Sequence, residues 1–91
     1  MIDAGLYVRL ILKKRKMTQA DLLRKMNQMH LAGDKKLAKQ KLNNAINLQM
    51  GYTWARRIEL ALGLKDYELV RMVGNPTEAE WKKIGEIKAR L

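Results

Sequence analysis

The sequence predicts an all-α fold, a compact bundle of five to six short helices around one core. Apolar residues recur at helical spacing along the chain, and several of these segments begin with residues that commonly cap helices. No segment shows the alternating pattern that the partner strand of a hairpin would need. With 91 residues and a hydrophobic content of 47%, the chain is expected to fold as one unit, because disordered basic tails are poor in apolar residues.

The first two predicted helices are short and begin at recognisable caps. Asp3 precedes a segment that runs to Lys14 and contains apolar pairs four residues apart, so we expect a helix with Asp3 as its N-cap. The second helix is expected to open at Thr18, since Thr18 and Asp21 have the spacing of a capping box. The helical spacing of its apolar residues ends near residues 27–28, so we expect the helix to end there.

The third helix is predicted over residues 37–47, after a connection at residues 29–36 in which Gly33 and Asp34 mark a turn. Its inward face is apolar and consists of Leu37, Ala38, Leu42, Ala45 and Ile46. Its opposite face carries only cationic and amide side chains, those of Lys39, Gln40, Lys41, Asn43, Asn44 and Asn47. A helical face without an acidic residue is suited to contact with a polyanion.

The last three predicted helices follow in quick succession. Thr53 is expected to cap a fourth helix over residues 54–62, which Gly63 ends, and Asp66 is expected to cap a short fifth helix. A capping box at residues 77–80 opens the sixth helix, which reaches the end of the sequence. The sixth helix has an apolar stripe formed by Trp81, Ile84, Ile87 and Leu91.

The positive charge lies entirely in the first two thirds of the chain. The formal net charge is +10, and residues 1–57 hold 13 basic and three acidic residues, whereas residues 58–91 hold six of each. A basic block beside a neutral block is typical of a polyanion-binding face joined to a second surface. A surface adapted only for solubility is the alternative, although solubility gives no reason to segregate the charge.

The composition argues against several classes of function. The chain has no cysteine and one histidine, which leaves no disulfide framework, no thiol nucleophile and no multi-histidine metal site. No nucleophile–base pair or phosphate-cradling glycine loop is apparent, so we expect neither an enzyme nor a cofactor. The apolar run at residues 10–12 is too short to span a bilayer, and no signal peptide is apparent. We therefore expect a cytoplasmic protein without a membrane partner.

Two short helices joined by a turn, the second with Lys, Gln and Asn on its outer face, predict a helix-turn-helix. An α-helix fits the major groove of B-DNA. There, Gln and Asn can bond N6 and N7 of adenine, and Lys can bond O6 and N7 of guanine. The pattern therefore predicts that the third helix contacts double-stranded DNA.

Two runs of the sequence carry a family resemblance, MTQADLLRKM at residues 17–26 and WARRIELALGL at residues 54–64. They resemble the second and fourth helices of the lambda-repressor-like (XRE, Cro/repressor type) helix-turn-helix family. The resemblance covers about residues 4–70. It implies that Gln19 bonds a phosphate. It also implies base contacts from the third helix through Lys39, Gln40 and Asn44, with Asn43 nearby.

Phosphate contacts are expected to supply most of the affinity for DNA. The candidates carry cationic or amide side chains and are Gln19, Arg24, Lys35, Lys36, Lys41, Arg56 and Arg57. Lys41 is either such a contact or a solvated flank of the third helix. Lys35 and Lys36 lie in the connection, which either brings them to the DNA backbone or is mobile.

The sequence departs from the family pattern in two places. The turn between the second and third helices is usually tight in the family, whereas here residues 27–36 make it several residues longer. Many members also bury an Arg of the first helix against a Glu late in the third, and alignment places Leu12 and Ile46 at these positions. Replacing both partners of a buried ion pair by apolar residues can preserve stability. We therefore predict that Leu12 and Ile46 meet in the core.

Residues 1–74 are predicted to form the helix-turn-helix domain, and residues 75–91 a C-terminal amphipathic helix that packs on it or lies at a dimer interface. The apolar stripe of the sixth helix is then a candidate surface for a homodimer or another protein partner. The family resemblance implies a small phage- or mobile-element-type repressor or autoregulator of the prokaryotic cytoplasm or nucleoid. Useful specificity from so small a unit favours a homodimer on an inverted repeat.

Two other functions remain open on the sequence. One is a protein-interaction adaptor or inhibitor that keeps the helix-turn-helix scaffold and binds an acidic protein or a nucleic-acid enzyme. The other is RNA binding, although five aromatic residues and no Phe provide no evident stacking face.

Overall fold

The computed structural model describes residues 3–89, which form six α-helices and no strand. The helices are α1 (Ala4–Lys14), α2 (Gln19–Gln28), α3 (Lys39–Asn47), α4 (Tyr52–Leu62), α5 (Glu68–Val73) and α6 (Glu78–Ala89). The predicted all-α bundle is confirmed. α4 packs against α2, α5 and α6, while α1 packs against α3 and α5.

Three predicted helix starts are confirmed by their capping hydrogen bonds. The Asp3 carboxylate accepts an N–H from the first turn of α1 at 2.7 Å. Thr18 and Asp21 form a reciprocal capping box with bonds of 3.0 and 2.9 Å. Thr77 and Glu80 form the equivalent box at the start of α6, with bonds of 2.9 and 3.3 Å. These starts were predictable because a capping bond joins residues only three positions apart.

The start of α3 differs from the prediction, because α3 begins at Lys39 and not at Leu37. The Asn27 side chain accepts the backbone N–H of Leu37 at 2.7 Å and donates to its carbonyl at 3.3 Å. Both backbone groups of Leu37 are thus bonded to α2, which keeps this residue out of the helix.

Two further predicted caps are wrong. α4 begins at Tyr52 after Gly51, whose extended backbone makes it the N-cap, so Thr53 lies inside the first turn. Tyr67, at φ +65°, precedes α5 in place of Asp66. The Asp66 carboxylate instead bonds Arg56 of α4 and Lys88 of α6. A long-range partner has therefore displaced the local capping bond.

The core draws on all six helices. Leu12 of α1 and Ile46 of α3 are each 4% exposed and belong to the same hydrophobic cluster, so both are buried as predicted. Ile84 and Ile87 of α6 belong to that cluster as well. α6 is therefore a part of this core, where its apolar side chains are removed from water.

α1 and α3 approach each other closely at Gly5. A Cβ atom at this position would lie 2.1 Å from the carbonyl oxygen of Ile46, a distance that forces the helix backbones apart. We expect Gly5→Ala to lower the free energy of unfolding by about 1–3 kcal/mol, as measured by urea unfolding followed by circular dichroism.

Gly85→Ala is the matched control for this substitution. Gly85 lies inside α6, and a Cβ atom there meets nothing within 4 Å. Alanine is favoured over glycine within a helix, so this variant is expected to gain about 0.5–1 kcal/mol. Equal stability of the two variants would contradict the close approach at Gly5.

Candidate nucleic-acid interface

α3 presents one apolar and one polar face. Leu42, Ala45 and Ile46 are buried. The exposed side chains are those of Lys39, Gln40, Lys41, Asn43, Asn44 and Asn47, and we call them the α3 polar face. Gln40 and Asn44 are one turn apart on the side opposite the core, and Gln40 Nε2 donates to Asn44 Oδ1 at 3.0 Å. The four predicted base-contacting residues therefore share one accessible face.

Asn47 is a member of this face that was not among the predicted contacts. Its amide donates to Asn43 Oδ1, and its own Oδ1 accepts from Arg9 of α1 at 3.3 Å. The spacing of four residues between Asn43 and Asn47 was the signal for this placement. Arg9 adds a cation beside the face that only the packing of α1 on α3 brings there.

The connection between α2 and α3 is anchored to the rest of the fold. Besides the Asn27–Leu37 bonds, Leu31 is fully buried, and Arg57 of α4 donates to the Leu31 carbonyl at 3.3 Å. His30 is an exposed residue of this connection with φ +54°, in the left-handed region. These contacts anchor the connection at Leu31 and Leu37, on either side of Lys35 and Lys36.

Four of the predicted phosphate contacts line one cavity of about 280 Å³ between the connection, α3 and α4. They are Lys35, Lys36, Lys41 and Arg57, and we call their site the cationic cavity. Trp54 forms one wall, with the Arg57 guanidinium 5.3 Å from the centre of its ring. No Asp or Glu is among the described residues that line it. The convergence of cations without an acid gives this cavity a positive potential that favours phosphate.

Arg24 and Gln19 occupy α2. Arg24 lines a separate cleft together with Lys36 and Lys39, so it lies near the α3 polar face. Its ion pair with Asp21, at 3.3 Å, is solvent-exposed and is therefore expected to contribute little interaction energy. The capping bonds from Thr18, followed by the Arg24 charge, hold the pKa of Asp21 below its usual value.

Gln19 is half-buried in the first turn of α2 and lines neither the cationic cavity nor the cleft next to Arg24.

Arg56 is not available to a phosphate, which corrects its predicted role. It is 1% exposed, bonds Glu59 and Asp66 through Nη1, and lies 4.3 Å from the centre of the Tyr67 ring. Neighbouring residues on a helix point about 100° apart, so Arg57 faces the cationic cavity while Arg56 faces α5. Glu59 lies three residues after Arg56, a spacing that indicates an ion pair on α4 but not that the pair is buried.

Glu59 is a buried residue that sequence reasoning passed over. Its carboxylate is fully buried and accepts hydrogen bonds from the backbone N–H groups of Tyr67, Leu69 and Val70 at 2.6, 3.0 and 3.2 Å. It therefore caps α5 while it neutralises Arg56. Hydrogen bonds from Arg56 and then from Lys88 lower the pKa of Asp66, so the Asp66 carboxylate stays charged at neutral pH.

The candidate partner surface on α6 also requires correction. Ile84 and Ile87 are 1% and 4% exposed and face the chain's own core, because α6 covers α4. Trp81 is half-buried and packs edge-on against Tyr67, with ring centres 4.9 Å apart. Leu91 lies outside the described residues. An amphipathic pattern shows that a face is covered and does not show whether the cover is the same chain or a partner.

Comparison with known proteins finds no matching family, no matching curated protein and no matching solved structure. None of the helices described is long and apolar enough to cross a membrane. Across residues 3–89, no group of three or more His, Cys, Asp or Glu side chains is placed to hold a metal ion.

Proposed function

We propose that this protein is a sequence-specific, double-stranded DNA-binding regulator of the lambda-repressor-like type, which contacts the major groove through α3. The observation that carries this proposal is the α3 polar face, exposed along its length and free of acidic residues. Cationic and amide side chains in this arrangement match the acceptors and donors of base edges. A small phage- or mobile-element-type repressor acting as a homodimer is the form of regulator proposed.

The charge around α3 supports the same proposal. The cationic cavity, which Lys41 lines, lies at one side of α3. Arg24 lies at another side, where it lines a separate cleft together with Lys39. Phosphate contacts of this kind fix the position of a protein on a duplex, while base contacts provide the specificity. The N-cap of α3 is Ala38, whose side chain forms no capping bond. The positive end of the α3 dipole therefore adds to the attraction for phosphate.

Selection of bound sites from a random pool of duplexes, at a low and a moderate salt concentration, tests the proposal. We expect an enriched motif that persists at the higher salt and has the two-fold symmetry of an inverted repeat. Negligible binding to every duplex at low salt would overturn it. That result would favour the adaptor that binds an acidic protein.

The salt dependence of binding is expected to report the number of phosphate contacts, from which burial excludes Arg56. If Arg24, Lys35, Lys36, Lys41 and Arg57 each neutralise one phosphate, the slope of log K against log salt is about −4.5. We expect Lys41→Gln to make the slope about one unit shallower. Fluorescence anisotropy titrations with a labelled duplex at several salt concentrations measure this slope.

Lys83→Gln provides the control with the same change of charge. Lys83 is an exposed residue of α6 in the electrically neutral third of the chain. Its substitution is expected to leave the slope unchanged. Equal changes in the Lys41 and Lys83 variants would indicate a diffuse charge effect and contradict a phosphate contact at Lys41.

A further inference from the structure

A cleft of about 440 Å³ lies between α2 and the connection that precedes α3. Its lining is mainly apolar, with Ala20 and Leu23 of α2 contributing the apolar side chains. Arg24, Lys36 and Lys39 surround it with cations. We call this site the apolar cleft. Its volume lies within the range of about 300–1,000 Å³ typical of small-molecule sites.

The charges around the apolar cleft define the ligand that it fits. No acidic residue is among the described residues that line it. Lys36 and Lys39 form no ion pair within residues 3–89, and the pair between Arg24 and Asp21 is exposed. Because an apolar floor favours a hydrocarbon group and a ring of cations favours an anion, the complementary ligand has both parts.

We propose that the apolar cleft binds a small amphipathic organic anion, such as an alkyl carboxylate. The hydrocarbon part lies against Ala20 and Leu23, and the carboxylate lies among Arg24, Lys36 and Lys39. The cationic cavity also has apolar lining residues, among them Leu37 and Trp54, but its volume of about 280 Å³ is smaller than that of the apolar cleft.

The ligand has a regulatory consequence that rests on the proposed function. Lys39 is proposed to contact bases, and Lys36 is proposed to contact a phosphate. Side chains held by a bound carboxylate are not available to DNA, so the two ligands compete. The anion is therefore expected to lower the affinity for DNA by binding the DNA-free protein.

Titration of the full chain with octanoate tests the binding site without DNA. We expect saturable shifts of the Ala20 and Leu23 methyl signals in NMR spectra. Octylammonium has a matched chain with the opposite charge, and acetate has the carboxylate without the chain, so neither is expected to produce these shifts. No saturable shift with octanoate, or an equal response to octylammonium, would overturn the proposal.

Two Ala→Glu substitutions provide a matched pair of variants. Ala20 and Ala79 are both exposed and both occupy the second position of a helix that begins with a Thr capping box. A carboxylate at Ala20 repels the anion in the apolar cleft, and we expect octanoate binding to weaken about tenfold or more. Ala79→Glu is expected to retain wild-type affinity, and equal losses in both variants would overturn the site.

A DNA competition experiment separates this inference from the proposed function. Saturating octanoate is expected to weaken duplex binding by the wild-type protein. Unchanged duplex affinity in the presence of octanoate would overturn the regulatory role. If the protein binds octanoate but no duplex, the proposed function is refuted, while the proposal that the apolar cleft binds an organic anion is supported.

Discussion

Replacing Glu59 by glutamine is expected to lower the free energy of unfolding by about 3–5 kcal/mol, as measured by urea unfolding. The substitution preserves the shape of the side chain and removes its charge, which leaves Arg56 as a buried cation. Among residues 3–89, the half-exposed Asp66 is then the remaining ion-pair partner of Arg56, and Arg56 Nε already has no hydrogen-bond partner there. A glutamine also provides only one acceptor atom for the α5 N–H groups that two carboxylate oxygens now bond.

Two further variants show whether the buried charge is the cause. Arg24→Gln breaks the exposed pair with Asp21 and is expected to cost no more than about 1 kcal/mol. Combining Glu59→Gln with Arg56→Met removes both buried charges, so the double variant is expected to be less destabilised than the sum of the single variants. Strict additivity, or a loss below about 1 kcal/mol for Glu59→Gln, would refute the proposed role of the pair.

The largest effect on function is expected from replacing Gln40 and Asn44 together by alanine. These residues occupy the middle of the α3 polar face, and each good base contact discriminates by about 1–3 kcal/mol. The ratio of affinities for the selected site and for random duplex is expected to fall by roughly thirtyfold or more. Most of the affinity for random duplex is expected to remain, because phosphate contacts provide it.

The experiment compares both duplexes at one salt concentration by fluorescence anisotropy. Asn75→Ala removes an exposed amide from the link between α5 and α6 and is expected to retain the wild-type ratio. A wild-type ratio in the Gln40/Asn44 variant would show that α3 does not discriminate between sequences. An equal loss of affinity for both duplexes would assign these side chains to the phosphate backbone.

The polar face of α3 was predictable because its pattern is local. Residues three and four positions apart share a helical face in any fold, so the list of outward residues needed no knowledge of their neighbours. The capping boxes at Thr18 and Thr77 were predictable for the same reason. The predicted start at Leu37 was wrong because Asn27, ten residues earlier, bonds both of its backbone groups.

The two arginines of α4 show where local pattern stops being informative. Arg56 and Arg57 have the same chemistry, and both were expected to contact phosphates. Arg56 is enclosed because Glu59, Asp66 and Tyr67 converge on it from α4 and the start of α5. The spacing of three residues predicts contact between Arg56 and Glu59, but no spacing rule within a helix predicts that Asp66 and Tyr67, which precede α5, also approach Arg56.

By itself, the sequence determined the helical character of the chain, three of its helix N-caps and the acid-free face of α3. These features depend on interactions within one or two helical turns. Only the tertiary structure decided that Arg56 is buried, that the α6 stripe covers its own core, and that cations from the connection, α3 and α4 share a cavity. Each of these depends on which segments distant in sequence come together, and that is set by the packing of the whole core.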